Sequence, residues 1–240
     1  MGQWIWSITD SAVYVSAARA KPDLVPTVWI GSVHGSRGRI TGSLGLSPRV
    51  AGTGQVAVVI RFEDTFRRAF APAHEVLTAA IDSTVSRLLA TASATGVSIA
   101  EVQLDYDCPQ RLLPRWAALV GDLSRGALAG RTVWVTSLVS HIRDPSYGDL
   151  FRPHVTGHIL QVFDTGDRMT SSYAKQVEQL ATRQRMAFRL GVAAFERRLA
   201  SGRETDHAGW FGAVPAVARS RWYRGLWVFP GGQAWVPLLE

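Results

Sequence analysis

Two acidic residues near the middle of the chain have the type and spacing for acid–base chemistry. Asp105 and Asp107 stand two residues apart in the segment Glu-Val-Gln-Leu-Asp-Tyr-Asp, residues 101–107. Side chains of a β-strand alternate between its faces, so Gln103 shares a face with both acids and the apolar residues between them take the other. Neighbouring carboxylates repel, which raises the pKa of one and makes it a candidate proton donor. A structural pair, neutralised by Arg61 or by backbone amides, is the alternative.

The elements that must position these acids alternate between β and α patterns along the chain. Short β-branched runs predict strands, and apolar residues at helical spacing predict the helices between them. The predicted strands span 3–8, 26–33, 55–62, 99–107, 132–138, 158–163, 188–194 and 225–229. Helices are predicted near 10–22, 73–95, 109–126, 147–152, 171–186 and 213–219, with Asp10 as the first N-cap. The glycine-rich residues 34–54 predict a long loop with at most a weak helix.

Eight strands that alternate with helices predict a single α/β domain over residues 1–240, a (β/α)8 TIM-type barrel with a reduced second helix. An open doubly wound sheet is the alternative, but no glycine-rich phosphate motif follows an early strand. Catalytic groups of such barrels lie at the C-terminal ends of the strands. Asp105 and Asp107 lie at such an end, and Asp164 follows the strand predicted at 158–163.

The composition excludes several classes of protein. Hydrophobic residues make up 47% of the 240 residues, too many for a disordered chain. Cys108 is the single cysteine, so no disulfide scaffold forms within the chain, and a buried residue beside Pro109 is a better interpretation than a nucleophile. We find no apolar run long enough to span a membrane. The net charge of +7 comes from scattered arginines without a basic arm, so we expect no nucleic-acid partner, whereas an acidic polysaccharide stays open as a ligand.

The run Val-Gln-Leu-Asp-Tyr-Asp-Cys-Pro at 102–109, followed by Gln-Arg-Leu-Leu and by Val-Thr-Ser-Leu at 135–138, resembles the hallmark of an uncharacterised bacterial barrel family, a domain of unknown function. The resemblance is specific over about 101–138. Because many members of that family are exported, it implies that export is an option for this protein as well. More distantly, the segment is similar to the fourth strand of family 18 chitinases, with its D-x-x-D-x-D-x-E motif. That similarity implies the acid position at Asp107 and a substrate-orienting carboxylate at Asp105. Gln103 and Ala100 occupy the other two motif positions.

These resemblances imply a glycoside hydrolase-like protein, expected to be a glycosidase, that acts on a bacterial polysaccharide or other glycan. Under this hypothesis Asp107 is the general acid, Asp105 orients the substrate, and Asp164 activates water or stabilises positive charge at the anomeric carbon. Aromatic rings favour a sugar ligand because they present an apolar face together with a polar edge. The residues expected to bind substrate are Gln103, Arg61, Trp6, Trp227, Trp235, His141 and Gln161.

Two other functions stay open. Aspartate in place of the chitinase glutamate, and the short second connection, are compatible with a carbohydrate-binding barrel without catalytic activity. A metal-dependent deacetylase or phosphodiesterase would use His34, His141, Asp105 and Asp107, but the histidine spacing matches no metal motif, so we expect neither a metal nor a cofactor. The first residues lack a basic and apolar leader, which predicts a cytoplasmic protein or one exported after removal of a signal peptide. The sequence does not predict the oligomeric state.

Overall fold

A computed structural model of the chain describes residues 1–36, 39–52, 54–66, 74–163, 169–195 and 207–239. Its strands are β1 Gly2–Ile5, β2 Val25–Ser36, β3 Arg39–Leu44, β4 Gln55–Phe62, β5 Ser98–Asp105, β6 Val133–Leu138, β7 Gly157–Gln161, β8 Phe188–Ala193 and β9 Tyr223–Phe229. Its helices are α1 Ile8–Ala20, α2 His74–Ser93, α3 Leu113–Arg125, α4 Val139–Arg143, α5 Tyr147–Phe151, α6 Ser171–Arg183 and α7 His207–Val217.

The hydrogen-bonded order of the strands is β1-β9-β8-β7-β6-β5-β4-β2-β3, and β1 also pairs with β2. The pairs β1–β9, β8–β9, β2–β4, β4–β5 and β5–β6 are parallel. The strand β3 pairs antiparallel with β2. This strand order, with its intervening helices, confirms the predicted (β/α)8 TIM-type class. The chain forms two compact units. The first unit comprises Met1–Pro26, Ser137–Gly148 and Gly157–Glu240, and the second comprises Thr27–Thr136 and Asp149–Thr156.

The second unit is built on β4 and β5, whose apolar residues are buried. On β4, the run from Val56 to Ile60 is at most 1% exposed, which explains its continuous Val and Ile sequence. Tyr106, directly after β5, packs edge-on against Trp116 of α3 at 5.2 Å between ring centroids. The apolar face of this segment is therefore covered by a helix, as the alternation of its residues predicts.

The glycine-rich loop predicted over 34–54 is wrong, because β2 continues to Ser36 and the chain returns as β3. Gly42 of β3 permits close packing, because a Cβ atom there would lie 2.7 Å from a Thr84 methyl of α2. On the neighbouring strand, a Cβ atom at Gly31 would lie 2.4 Å from the Ser43 carbonyl oxygen of β3 and 2.7 Å from a Leu88 methyl of α2. One 3-10 turn at Pro48–Ala51 is the helical structure between β3 and β4, in agreement with a reduced second helix.

In the first unit, the predicted N-cap of the first helix is wrong by three residues. Ser7 is the N-cap, and its Oγ accepts a hydrogen bond from the Asp10 backbone N–H at 3.1 Å. Asp10 lies inside α1, where its buried carboxylate accepts from the N–H groups of Trp6 at 3.0 Å and Gly232 at 2.8 Å. This arrangement is similar to a capping box, except that the third helical residue bonds the N–H of Trp6, which precedes the N-cap. The helix α4, with five residues, is too short to show helical periodicity and is absent from the prediction.

Within the described ranges, no helix is both long enough and apolar enough to span a bilayer.

Candidate functional site

A row of polar side chains crosses the C-terminal ends of neighbouring strands in the second unit. Ser32 of β2 is the register partner of Arg61 of β4, and Arg61 is the register partner of Asp105 of β5. Thr136 of β6 extends the row through a hydrogen bond to Asp105. Parallel strands thus bring together residues that are up to 104 positions apart in the chain.

Arg61 is the cation at the centre of this row. Its Nη1 donates to Asp105 Oδ2 at 2.6 Å and its Nη2 donates to Asp107 Oδ2 at 3.0 Å, while its Nε lies 3.7 Å from Glu63 Oε2. Burial alone would lower the pKa of Arg61, but the carboxylates of Asp105 and Asp107 outweigh it and raise that pKa. The guanidinium therefore stays charged and fixes both aspartates. The two acids thus form a pair neutralised by Arg61, which is the alternative interpretation of the sequence.

Asp105 is the buried member of the pair, with 2% of its surface exposed. The Thr136 hydroxyl donates to its Oδ1 at 2.9 Å and accepts from the Tyr106 N–H at 3.1 Å. Burial raises the pKa of Asp105 and Asp107 adds to the rise, whereas Arg61 and Thr136 oppose it. Both carboxylate oxygens are used by the protein, so Asp105 orients its neighbours and offers no open oxygen to a ligand.

Asp107 is the accessible member of the pair. It lies beyond the last residue of β5, and its side chain is 43% exposed. Arg61 holds Oδ2, and in the described part of the chain no hydrogen bond reaches Oδ1. A carboxylate with one fixed oxygen and one open oxygen can exchange a proton with a ligand without losing its orientation.

Glu63 belongs to the same group of charges, although it is not among the site residues predicted from the sequence. Its Oε1 accepts a hydrogen bond from the Ser32 hydroxyl at 2.9 Å, and its side chain is 33% exposed. The signal in the sequence was its place two residues after Arg61, directly beyond a strand, which puts both side chains at the same strand end. Gln103, expected to touch substrate, is fully buried and donates to Glu101 Oε1 at 2.9 Å.

Trp227 and Trp235, two of the residues expected to bind substrate, are buried. In the first unit, Trp235 has no exposed surface and donates its indole N–H to Gln3 Oε1 at 2.8 Å. Trp227 is 3% exposed and carries the Arg189 guanidinium 3.8 Å above its ring. A position near a strand end did not indicate where these rings point. Trp6 is half-buried, with its ring 6.0 Å from that of Phe229.

A cavity of about 700 Å³ follows the ends of β8 and β9 in this first unit. Phe195 and Phe229 meet edge to face in its wall at 5.2 Å, and Phe163 lies 6.0 Å from Phe229. Phenylalanine rings therefore supply the aromatic surface here. The cavity is lined by Ala194, Phe195, Phe229, Gly231, Gln233, Ala234 and Leu238.

The remaining candidates are dispersed. His141 is 2% exposed, accepts the Leu138 N–H at its Nδ1 and stacks on Tyr147, so it is part of the core and no ligand can reach it. Gln161 is half-buried at the last residue of β7, and Asp164 lies outside the described residues. His34 lies beside the Ser43 hydroxyl at 2.9 Å.

Two further candidate chemistries are a metal site and the Cys108 thiol. Among the described residues, no three His, Cys, Asp or Glu side chains are grouped so that they could hold a metal ion. At Cys108, burial raises the pKa of the thiol to about 12, so the thiolate needed for nucleophilic attack is scarce.

Comparison with solved structures finds several chains of similar fold. The spore cortex-lytic enzyme SleL of Bacillus cereus matches with a TM-score of 0.59 and 13% identity, over 99% of this chain and 73% of that one. A family 18 chitinase from Crocus vernus matches with a TM-score of 0.60 and 8% identity, over 100% and 95% of the two chains. A chitinase-like lectin from tamarind matches with a TM-score of 0.56 and 10% identity, over 96% and 94%. At these identities the likeness shows the fold alone.

No curated protein matches the chain by sequence. A family model described as a domain of unknown function, DUF3142, matches residues 57–208. This range includes Arg61, Glu63, Asp105, Asp107 and Thr136, and it covers more than half of the 240 residues. The chain belongs to the family of domains of unknown function DUF3142 and has a (β/α)8 TIM-type fold.

Proposed function

We propose that this protein is a glycoside hydrolase that acts on a bacterial polysaccharide or related glycan through carboxylate chemistry at Asp107. The observation that carries the proposal is the fork of Arg61, which holds Asp105 and Asp107 at 2.6 and 3.0 Å at the end of β5. One carboxylate of the pair is buried and fixed, and the other keeps an open oxygen. Glycoside hydrolysis needs such a positioned carboxyl beside the glycosidic oxygen.

Asp107 is the group that exchanges a proton with the glycosidic oxygen. In its protonated form, Asp107 gives its proton to the glycosidic oxygen while the bond to the anomeric carbon breaks. Asp105 holds the Arg61 guanidinium in place, and Arg61 in turn orients Asp107. Asp164, proposed as the second carboxylate, lies outside the described residues.

A glycan also suits the cavity of the first unit. The rings of Phe195 and Phe229 offer apolar faces to the C–H groups of a sugar, and Gln233 offers an amide for its hydroxyls. The likeness to a spore cortex-lytic enzyme and to a chitinase supports glycans with amino-sugar backbones as the first substrates to examine.

A glycan-binding protein without catalytic activity is the second candidate. Arg61 forms an ion pair with Asp107 at 3.0 Å, an arrangement that also suits a carboxylate with a purely structural role. The likeness to a chitinase-like lectin supports the same possibility. The two candidates differ in one observable, since both bind a glycan but only the hydrolase creates new reducing ends.

The test is the release of reducing ends from chitin oligosaccharides, spore-cortex peptidoglycan and bacterial exopolysaccharides, measured by mass spectrometry for the wild type and Asp107→Asn. We expect the wild type to cleave at least one of these glycans, and Asp107→Asn to lose at least about 100-fold in kcat, the lower end of what a general acid contributes.

Asp122→Asn is the matched control, because Asp122 is also a partly exposed aspartate paired with an arginine, here Arg125 at 2.6 Å. It should keep wild-type activity. Undiminished turnover by Asp107→Asn would remove Asp107 from this role. Glycan binding without cleavage by the wild type would establish the second candidate in place of the first.

A further inference from the structure

We infer that Glu63 is a second catalytic carboxylate of this site, which takes the proton from the attacking water while Asp107 protonates the leaving oxygen. The inference rests on the proposed hydrolase function and assigns a residue that is part of the described structure. It is carried by the position of Glu63, by its hydrogen bond from a buried serine and by its shared contact with Arg61.

The backbone of Glu63 is fixed directly after β4. Its N–H donates to the Val33 carbonyl of β2 at 3.0 Å, and its own carbonyl accepts from the Phe66 N–H at 2.7 Å. The side chain is therefore attached to a segment that is hydrogen-bonded on both sides. A carboxylate used in catalysis needs this kind of rigid support.

The carboxyl group of Glu63 is held by Ser32, which is 1% exposed. The Ser32 hydroxyl donates to Oε1 at 2.9 Å, while one-third of the side chain remains accessible. A buried hydroxyl thus orients one oxygen of a carboxylate that a ligand can still reach. Thr136 has the same relation to Asp105, so both hydroxyls of the polar row support a carboxylate.

Arg61 limits the distance between Glu63 and Asp107. Its Nε lies 3.7 Å from Glu63 Oε2, and its Nη2 lies 3.0 Å from Asp107 Oδ2. Because the two nitrogens are about 2.3 Å apart in a planar guanidinium, the two oxygens are at most about 9 Å apart. Paired glycosidase carboxyls are separated by about 5 to 9.5 Å, and the wider part of that range leaves room for a water molecule.

The reaction balances with these two groups and one water molecule. The Asp107 carboxylic acid gives its proton to the glycosidic oxygen, which leaves with the electron pair of its bond to the anomeric carbon. The water oxygen forms the new bond to that carbon, and its proton passes to the Glu63 carboxylate. Exchange with solvent then returns the proton to Asp107. Products are two sugar hydroxyl compounds, and no co-reactant is needed.

The test is the pH dependence of kcat for Glu63→Gln on a glycan that the wild type cleaves. Glutamine keeps the acceptor for Ser32 and removes the base. In the described part of the chain, the charged groups beside Glu63 are Asp64, the next residue, Arg61 at the end of β4 and, across the guanidinium, Asp105 and Asp107. We expect kcat to fall at least about 100-fold, KM to change less than about threefold, and the acidic limb of the kcat profile to disappear.

Two further variants make the result specific. Asp64→Asn changes the exposed neighbouring carboxylate and should leave kcat and its pH profile unchanged. Ser32→Ala should lower kcat by a smaller factor while the acidic limb remains, because the base is still present but less well oriented.

The outcomes separate the two proposals. A wild type that cleaves none of the glycans refutes the hydrolase function and this inference with it. A wild type that cleaves, together with Glu63→Gln at a kcat within threefold of it or with the acidic limb retained, refutes the role of Glu63 alone.

Discussion

Replacing Arg61 with methionine should destabilise the protein strongly at neutral pH and much less in mild acid. Methionine keeps the apolar stem and removes the guanidinium that donates to Asp105 at 2.6 Å. Asp105 is 2% exposed, so its charge would lose its ionic partner in a site that water does not reach. The Thr136 hydroxyl would remain as its donor.

Breaking a buried ion pair typically costs about 3 to 5 kcal/mol, because one charge is left uncompensated. The charged form of Asp105 is already disfavoured by burial, which raises its pKa above that of the unfolded chain. Loss of Arg61 raises this pKa further. The folded variant therefore binds a proton more readily than the unfolded chain, and its stability falls as pH rises, by at most about 1.4 kcal/mol per pH unit.

The assay is equilibrium unfolding in urea at pH 5 and pH 7.5, followed by circular dichroism. Arg61→Met should lose more unfolding free energy at pH 7.5 than at pH 5, and the additional change Asp105→Asn should remove this difference. Arg125→Met is the control, because it breaks an exposed pair and should cost about 1 kcal/mol or less at both pH values. A loss below 1 kcal/mol that is equal at both pH values would show that Arg61 does not compensate a buried Asp105 charge.

Two further predictions concern the first unit. Burial, and to a smaller extent the charge of His141, lower the pKa of His158 to about 3. As pH falls, this histidine therefore binds a proton in the unfolded chain before it does so in the folded protein. As pH falls below about 6.5, the unfolding free energy of the wild type should therefore decrease by about 1.4 kcal/mol per pH unit. His158→Phe should lack this contribution. Equal pH dependence of the unfolding free energy of wild type and variant, measured by urea titration, would contradict the prediction. Trp235→Phe removes the donor to the buried Gln3 Oε1 and should cost about 1 to 3 kcal/mol. Trp222→Phe should cost less, because the Trp222 indole N–H has no hydrogen-bond partner among the described residues, and equal losses in thermal unfolding would refute the assignment.

The fold class was predictable because its signal is local and repeated. The strand β4 carries a short apolar run, Val56–Ile60, and the helix α3 buries apolar residues at helical spacing, such as Leu113, Trp116 and Val120. Where the local signal was ambiguous the prediction failed. Gly42 counted toward the predicted loop, although its missing side chain allows α2 to approach β3, which depends on a contact between distant residues.

The candidate site was partly predictable for the same reason. Period-two alternation selected Asp105 and Asp107, and Arg61 was considered as their partner. Ser32, Glu63 and Thr136 were not selected, because their relation to the acids arises from the register between strands that are far apart in the sequence. The directions of the Trp227 and Trp235 rings also depend on packing that the sequence does not encode locally.

The most direct test of the central claim is a crystal structure of Asp107→Asn with a bound oligosaccharide that the wild type cleaves. The account predicts a glycosidic oxygen within hydrogen-bond distance of the residue 107 amide, with Arg61 still donating to Asp105. Sugar bound away from residue 107, or no sugar bound at concentrations that saturate the wild type, would contradict it.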